Sequence, residues 1–176
     1  GLYYEYYPNG KIWKEWQFVD GFEEGISNWY FQDGKLSITW NFRYGVKAGI
    51  SNWYYESGEL WAEQNYLNGK LEGITYTYYK TGELQGEWNY IGGMLNDVSR
   101  TFYKSGKVEV ERRYADGVQQ GITRIYHDSN MNNVALEALF INDKLEGVVK
   151  LFDMAGSLRV KDDYKNGELL NRIRYD

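Results

Sequence analysis

Few residues of this sequence have the chemistry of a catalytic group. His127 is the only histidine and cysteine is absent, so no thiol nucleophile or thiolate metal site is available. We interpret the carboxylate pairs Glu109/Glu111 and Asp162/Asp163 as solvated charges, because the first pair shares the polar face of a strand and the second pair points to opposite faces. No GxxxxGK[ST] or GxGxxG stretch could hold a phosphate group. The sequence predicts a protein that is not an enzyme and has no metal or cofactor.

Aromatic residues are the stronger candidates for function. They make up 18% of the chain, with 18 Tyr, 7 Trp and 7 Phe. We predict a recognition strip because rigid aromatic side chains are favoured anchors at interfaces. Under the alternative interpretation, these rings shield turn glycines, cover Lys and Glu stems, or lie on a sheet with both faces partly buried. The predicted strip consists of Trp29, Phe31, Trp53, Tyr55, Trp61 and Tyr79.

The charge distribution favours a basic protein as the partner. The net charge is −5, and it arises in residues 1–96, where 12 acidic side chains outnumber 7 basic ones. This balance disfavours nucleic acid and an anionic membrane surface. No apolar run approaches the roughly 20 residues that a membrane span needs. We therefore expect a protein partner with a basic surface, and no nucleic-acid or membrane partner.

A repeat of 24 residues must position these side chains. Its period is strict for five repeats, the sixth is two residues longer, and the chain ends inside an eighth. We treat residues 1–176 as one array because the period runs through the whole chain. The repeats are 1–24, 25–48, 49–72, 73–96, 97–120, 121–146, 147–170 and the partial 171–176.

Two glycine positions of the repeat predict its turns. Glycines at positions 10 and 21, such as Gly34 and Gly45, are each expected to close a three-residue hairpin loop. All even positions would then share one apolar, buried face, including the column that begins with Ile26. In the sixth repeat we place the two extra residues in the first loop, at Asp128 to Asn132. Asp143, which replaces the second loop glycine there, can adopt the left-handed conformation at some cost.

These features predict an all-β protein. We expect an elongated, single-layer antiparallel β-meander of stacked hairpin repeats, about seven in number, that is open and twisted or curled. Its first strand, LYYEYY, has no polar cap, whereas the last carries Arg172 and Arg174. We therefore expect self-association, if any, to occur through the N-terminal edge strand.

The stretch NYLNGKLEGITYTYYKTGEL, with YYPNGK and NYIGG, resembles the MORN repeat. It is most similar to the variant found in bacterial proteins that include YwqK-like antitoxin and immunity proteins. The resemblance covers nearly the whole chain. It departs at the Trp-rich second and third repeats, at Asp97 where Gly is expected, and in the sixth repeat. It implies the meander fold and makes toxin neutralisation a specific role to consider.

We predict a non-enzymatic, protein-binding repeat module. The alternative is a surface or envelope repeat protein that binds glycans or other cell-surface material, and phospholipid contact is a third option that the acidic N-terminal part disfavours. An antitoxin would be cytoplasmic. A location in the envelope or outside the cell would follow if a leader has been removed, since the chain does not begin with Met.

Overall fold

Alternating aromatic, β-branched and polar residues form strands along the entire chain. The structure is a computed structural model that describes residues 1–176. It contains 20 strands and no helix, and hence no helix capable of crossing a membrane. The predicted fold class, an antiparallel β-meander of hairpin repeats, is confirmed. The first ten strands are β1 (Leu2–Tyr6), β2 (Ile12–Val19), β3 (Phe22–Glu23), β4 (Gly25–Tyr30), β5 (Leu36–Arg43), β6 (Val46–Lys47), β7 (Gly49–Tyr54), β8 (Leu60–Leu67), β9 (Lys70–Leu71) and β10 (Gly73–Tyr78). The others are β11 (Leu84–Ile91), β12 (Met94–Leu95), β13 (Asp97–Phe102), β14 (Val108–Ala115), β15 (Val118–Gln119), β16 (Gly121–Tyr126), β17 (Val134–Ile141), β18 (Lys144–Phe152), β19 (Leu158–Lys165) and β20 (Glu168–Arg174).

The chain divides into two compact halves. The N-terminal half comprises Gly1–Leu84 and Tyr90–Gly93, and the C-terminal half comprises Gln85–Asn89 and Met94–Asp176. Within each half, consecutive strands pair antiparallel, as β4 does with β5 and β16 with β17.

The first turn of the repeat has the predicted three-residue loop. In the second repeat, Phe31 N donates to Lys35 O at 2.8 Å and Gly34 N donates to Phe31 O at 2.9 Å, with Gly34 at φ 95°. In the sixth repeat the corresponding bond joins His127 N to Asn133 O, which confirms that the two extra residues lie in this loop.

The second turn contains two residues, so our prediction of a three-residue loop is wrong. Arg43 pairs with Val46, leaving Tyr44 and Gly45 between them with φ of 51° and 75°. Two consecutive positive φ angles are typical of a type I′ turn, which matches the twist of a hairpin. Asp143 takes the glycine position of this turn with φ 64°, as predicted.

A β-bulge after the first turn overturns the prediction that even positions share one face. Trp29 pairs with Ile38 but Tyr30 pairs with Leu36, so Ser37 is an additional residue in β5. A one-residue shift exchanges the faces of a strand. Odd positions of the first strand therefore share a face with even positions of the second. Ile26, which we expected to be buried, is 59% exposed.

Each half has one face that carries its buried side chains, which we call the packed face of that half. Only twelve residues of the chain are buried, so neighbouring side chains on the same face provide most of the packing. In the N-terminal half the buried residues are Ser27, Trp40, Ser51, Ala62 and Thr75. In the C-terminal half they are Gly86, Ser99, Val110, Thr123, Ala138, Val149 and Asp162.

Candidate binding site: a tryptophan cluster in the N-terminal half

Aromatic rings form a continuous cluster on the packed face of the N-terminal half. Trp40 lies between Trp29 and Trp53, with ring centroids 6.1 and 5.3 Å away and interplanar angles of 70° and 87°. Trp61 lies 6.2 Å from Trp53 and 6.4 Å from Tyr55. Edge-to-face contacts of this kind contribute beyond the area they bury. We call Trp29, Trp40, Trp53, Tyr55 and Trp61 the tryptophan cluster.

The β-bulge brings Trp53 and Trp61 together. Trp53 pairs with Ala62 and Tyr54 pairs with Leu60, so Trp61 is the additional residue of β8. The rings of Trp53 and Trp61 are in contact, although the residue directly opposite Trp53 is Ala62. Because of the bulge, Trp53 has the buried Ala62 opposite it on β8 and the ring of Trp61 beside it.

Exposure rises along the cluster. Trp40 is only 8% exposed, Trp29, Trp53 and Tyr55 are half-buried, and Trp61 is 44% exposed. The part of the cluster that a partner can reach is therefore centred on Trp61. Trp40 forms its base.

Two lysines cover part of the cluster. Lys47 Nζ lies 3.3 Å from the ring centroid of Trp40, and Lys14 Nζ lies 4.7 Å from that of Trp29. Burial lowers the pKa of Lys47, and the nearby carboxylate of Glu23 opposes this shift. These cation–π contacts occupy the rings of Trp29 and Trp40. Trp53, Tyr55 and Trp61 make no cation–π contact of this kind.

Position 7 of the repeat has a structural role that bears on Phe31, Tyr55 and Tyr79. Tyr55 OH donates to Tyr78 O at 2.8 Å, which links one repeat to the next. The same bond joins Tyr7 to Tyr30 O at 2.6 Å and Tyr103 to Tyr126 O at 2.7 Å. Phe31 and Tyr79, both half-buried, lie in this column. Four of the six predicted residues, Trp29, Trp53, Tyr55 and Trp61, therefore belong to the tryptophan cluster. The other two, Phe31 and Tyr79, lie at position 7 of their repeats, which we call the turn column.

His127 follows the pattern of the tyrosines it replaces. Its Nε2 lies 3.0 Å from Phe152 O, in the place of the tyrosine hydroxyl. Since a carbonyl oxygen only accepts, Nε2 carries the proton in this bond. His127 therefore has the structural role of linking one repeat to the next.

One of the carboxylates that we interpreted as solvated is buried. The side chain of Asp162 is 3% exposed and accepts two hydrogen bonds from Arg172, both at 2.7 Å. The hydrogen bond from Arg172 lowers the pKa of Asp162. Glu111 pairs with Arg100 at 2.9 Å. No group of three or more His, Asp or Glu side chains in residues 1–176 is arranged to hold a metal ion.

Sequence reasoning missed Trp40 of the tryptophan cluster and the two lysines that cover the cluster, Lys14 and Lys47. The predicted register placed Trp40 on the face opposite Trp29 and Trp53, and the bulge reverses that placement. The second turns carried a usable signal, because their DG and NG dipeptides are typical of two-residue type I′ turns. Nothing in the sequence marked Ser37 or Trp61 as the additional bulge residue.

Comparison with known proteins identifies the repeat. Residues 1–20, 23–44, 47–68 and 71–91 match the MORN repeat variant family. No curated protein matches the chain. The predicted resemblance to MORN repeats is therefore confirmed for these four segments, and the narrower resemblance to YwqK-like antitoxins is a hypothesis.

Proposed function

We propose that this chain, in which residues 1–91 are built from four MORN repeats of the variant type, is a non-enzymatic module that binds a protein with a basic surface. MORN repeats generally act as binding modules. The observation that carries the proposal is the open end of the tryptophan cluster, where Trp53, Tyr55 and Trp61 adjoin one another and Trp61 is 44% exposed.

The cluster has the properties of a binding hot spot. Its rings are held by mutual contacts, so little side-chain entropy would be lost when a partner binds. Trp and Tyr are enriched among residues that dominate binding energy. Phe31 and Tyr79 flank the cluster in the turn column and would form its periphery.

Two exposed carboxylates lie on the turn next to the accessible end. Glu56 and Glu59 are exposed on the turn that begins at Tyr55, whose N–H donates to Glu59 O at 2.8 Å. A hydrogen bond from Ser57 lowers the pKa of Glu59, which keeps this group charged at neutral pH. Acidic groups around an aromatic anchor favour a partner with Lys and Arg around an apolar contact.

The specific role we propose is toxin neutralisation, as in an antitoxin or immunity protein. Its support is the resemblance to the bacterial variant of the repeat. Such a protein must bind tightly to one partner, and a rigid aromatic anchor with complementary charge suits that task.

The test begins with isolation of the native partner by affinity capture on the tagged chain. Calorimetric titration then compares wild type with Trp53→Ala, which should lose about 2 kcal/mol or more of binding free energy, or roughly thirtyfold in affinity. Tyr44→Ala is the matched control, because Tyr44 is an exposed aromatic residue of the same half outside the cluster. Its affinity should stay within about twofold of wild type.

Two further measurements complete the test: the salt dependence of the affinity and the thermal stability of each variant. Affinity for a basic partner should fall as the salt concentration rises, because ions screen the carboxylates around the site. Thermal unfolding of each variant separates loss of the site from loss of the fold. Equal affinities for wild type and Trp53→Ala, or losses that follow unfolding alone, would contradict the proposal.

Glycan binding is the second candidate, and the exposed ring of Trp61 favours it, because a flat aromatic face can stack on a sugar. This function would suit a surface or envelope protein. Binding to a glycan panel that is insensitive to salt and is lost in Trp61→Ala would support it over the protein partner.

A further inference from the structure

A concave surface lies on the packed face of the C-terminal half. It is a groove of about 510 Å³ that crosses strands β14 to β20. This volume is within the range of small-molecule sites. The floor is apolar and includes Ile125, Leu136, Ala138, Phe140, Val149 and Leu151.

The groove exists because small and aliphatic residues replace the tryptophans of the N-terminal half. Ala138 pairs with Thr123 in the same register in which Trp40 pairs with Ser27. Ile125 likewise corresponds to Trp29, since Ile125 pairs with Leu136 as Trp29 pairs with Ile38. The same backbone register thus carries indoles in one half and an open groove in the other.

Arg112 lines one end of this groove without an acidic partner. The residue is half-buried, and its guanidinium group makes no hydrogen bond or ion pair with another residue of the chain. By contrast, Arg100 and Arg124 on the opposite face pair with Glu111 and Glu137 at 2.9 and 3.0 Å. An unpaired guanidinium beside apolar surface is a good donor for a carboxylate.

The other end of the groove is closed by a neutral pair. The buried Asp162 carboxylate accepts both of its hydrogen bonds from Arg172. The groove therefore has a single uncompensated charge, the cation at Arg112. A ligand carboxylate would therefore be attracted to the Arg112 end and not to the end where Asp162 and Arg172 neutralise each other.

We propose that this groove binds a small apolar carboxylate, with its acid group on Arg112 and its hydrocarbon body along the floor from Ile125 to Leu151. Four inter-strand steps from β14 to β19 give the groove a length of about 19 Å. A hydrocarbon chain fits this floor better than a peptide does, because the aliphatic floor offers no partners for peptide N–H and C=O groups.

Calorimetric titration of the full chain with decanoate, decanol and decylammonium tests the proposal. Decanoate should bind saturably and at least about tenfold more tightly than decanol, whereas decylammonium should bind least well. Affinity should rise about threefold to fourfold for each methylene added to the acid while the floor is being filled. Absence of saturable decanoate binding, or a preference for decanol, would overturn the proposal.

Variants locate the binding. Arg112→Gln should lose about tenfold or more in decanoate affinity with little change for decanol, and Arg112→Lys should recover part of that loss. Ala138→Trp should abolish binding of both ligands, because the indole would fill the groove. The sheet holds a tryptophan at the equivalent register position of the N-terminal half, Trp40. Trp53→Ala, in the other half, should leave decanoate affinity unchanged.

A second variant that fills the groove keeps the test valid if Ala138→Trp does not fold. Leu151→Trp fills the groove at the register position of Trp29, and thermal unfolding identifies which of the two filled variants is folded. A folded variant with a filled groove that still binds decanoate would contradict the assignment, as would an Arg112→Gln variant that keeps wild-type affinity.

Discussion

Trp40 is the residue on which the tryptophan cluster depends. It is buried, it contacts the rings of Trp29, Trp53 and Tyr66, and it carries Lys47 on its face. We expect Trp40→Ala to lower the free energy of unfolding by about 3–5 kcal/mol through cavity formation, measured by urea denaturation.

Two comparisons identify the source of this loss. The indole N–H of Trp40 has no acceptor, so its contribution comes from packing and the lysine contact, and Trp40→Phe should retain much of the stability. Trp61→Ala, at the accessible end, should cost only about 1 kcal/mol. Equal losses for Trp40→Ala and Trp61→Ala would mean that the cluster does not have a buried base.

At the scale of the elements, the backbone of the second turn and its contact with the preceding repeat favour glycine at position 21. Gly69 has φ +79°, and a Cβ built on it would lie 3.3 Å from Val46 Cγ1 of the preceding repeat. Gly21 has nearly the same φ, +82°, but a Cβ there meets nothing within 4 Å. Gly21→Ala should cost about 1–2 kcal/mol from backbone strain alone, whereas Gly69→Ala should cost more because Val46 must also move.

Chemical denaturation of the two alanine variants measures this difference. A larger loss at Gly21 than at Gly69 would mean that contact between repeats plays no part in the selection of glycine. The combined variant Gly69→Ala with Val46→Ala should recover the excess, because it removes the contacting methyl groups.

The strands and the first turn could be predicted from the sequence because the period and the glycines specify them locally. The faces could not, because they depend on one additional residue per repeat. Ser37 and Trp61 occupy this bulge with nothing in common as residue types, so pairing geometry alone marks them. The position of Trp40 beneath Trp53 followed from that register and was therefore missed. The pairing of Asp162 with Arg172 was missed because it depends on another register shift, between Asp163 and Tyr164 in the last hairpin.

At the scale of the molecule, stability should fall in acid. Hydrogen bonds lower the pKa of Asp33, Asp153 and Asp162 in the folded chain, the bond from Arg172 being the main cause at Asp162. A carboxyl with a lowered folded pKa stabilises the fold above its unfolded pKa, near 4, and loses this effect as the pH falls through its folded pKa. Burial raises the pKa of Glu23, which acts in the opposite direction.

Asp162→Asn tests the buried carboxylate within this trend. The variant should be less stable than wild type at neutral pH, because Arg172 loses its charged partner. Since the wild-type carboxylate is itself protonated in strong acid, the difference in unfolding midpoint should narrow as the pH falls below about 4. A difference independent of pH would show that the charge of Asp162 does not stabilise the fold, and Asp163→Asn is the matched control on the other face.

The loop of the sixth repeat holds two more residues than its counterparts, yet Tyr126 still pairs with Val134 as Tyr30 pairs with Leu36. Residues added to this loop therefore do not change which side chains lie on either face of the sheet. The chain can acquire or lose sequence there while every ring and every groove residue keeps its neighbours. For an engineer, the tip from Asp128 to Asn132 is a place to graft an epitope or a reporter peptide, and for evolution it is a place to vary without disturbing what the faces bind.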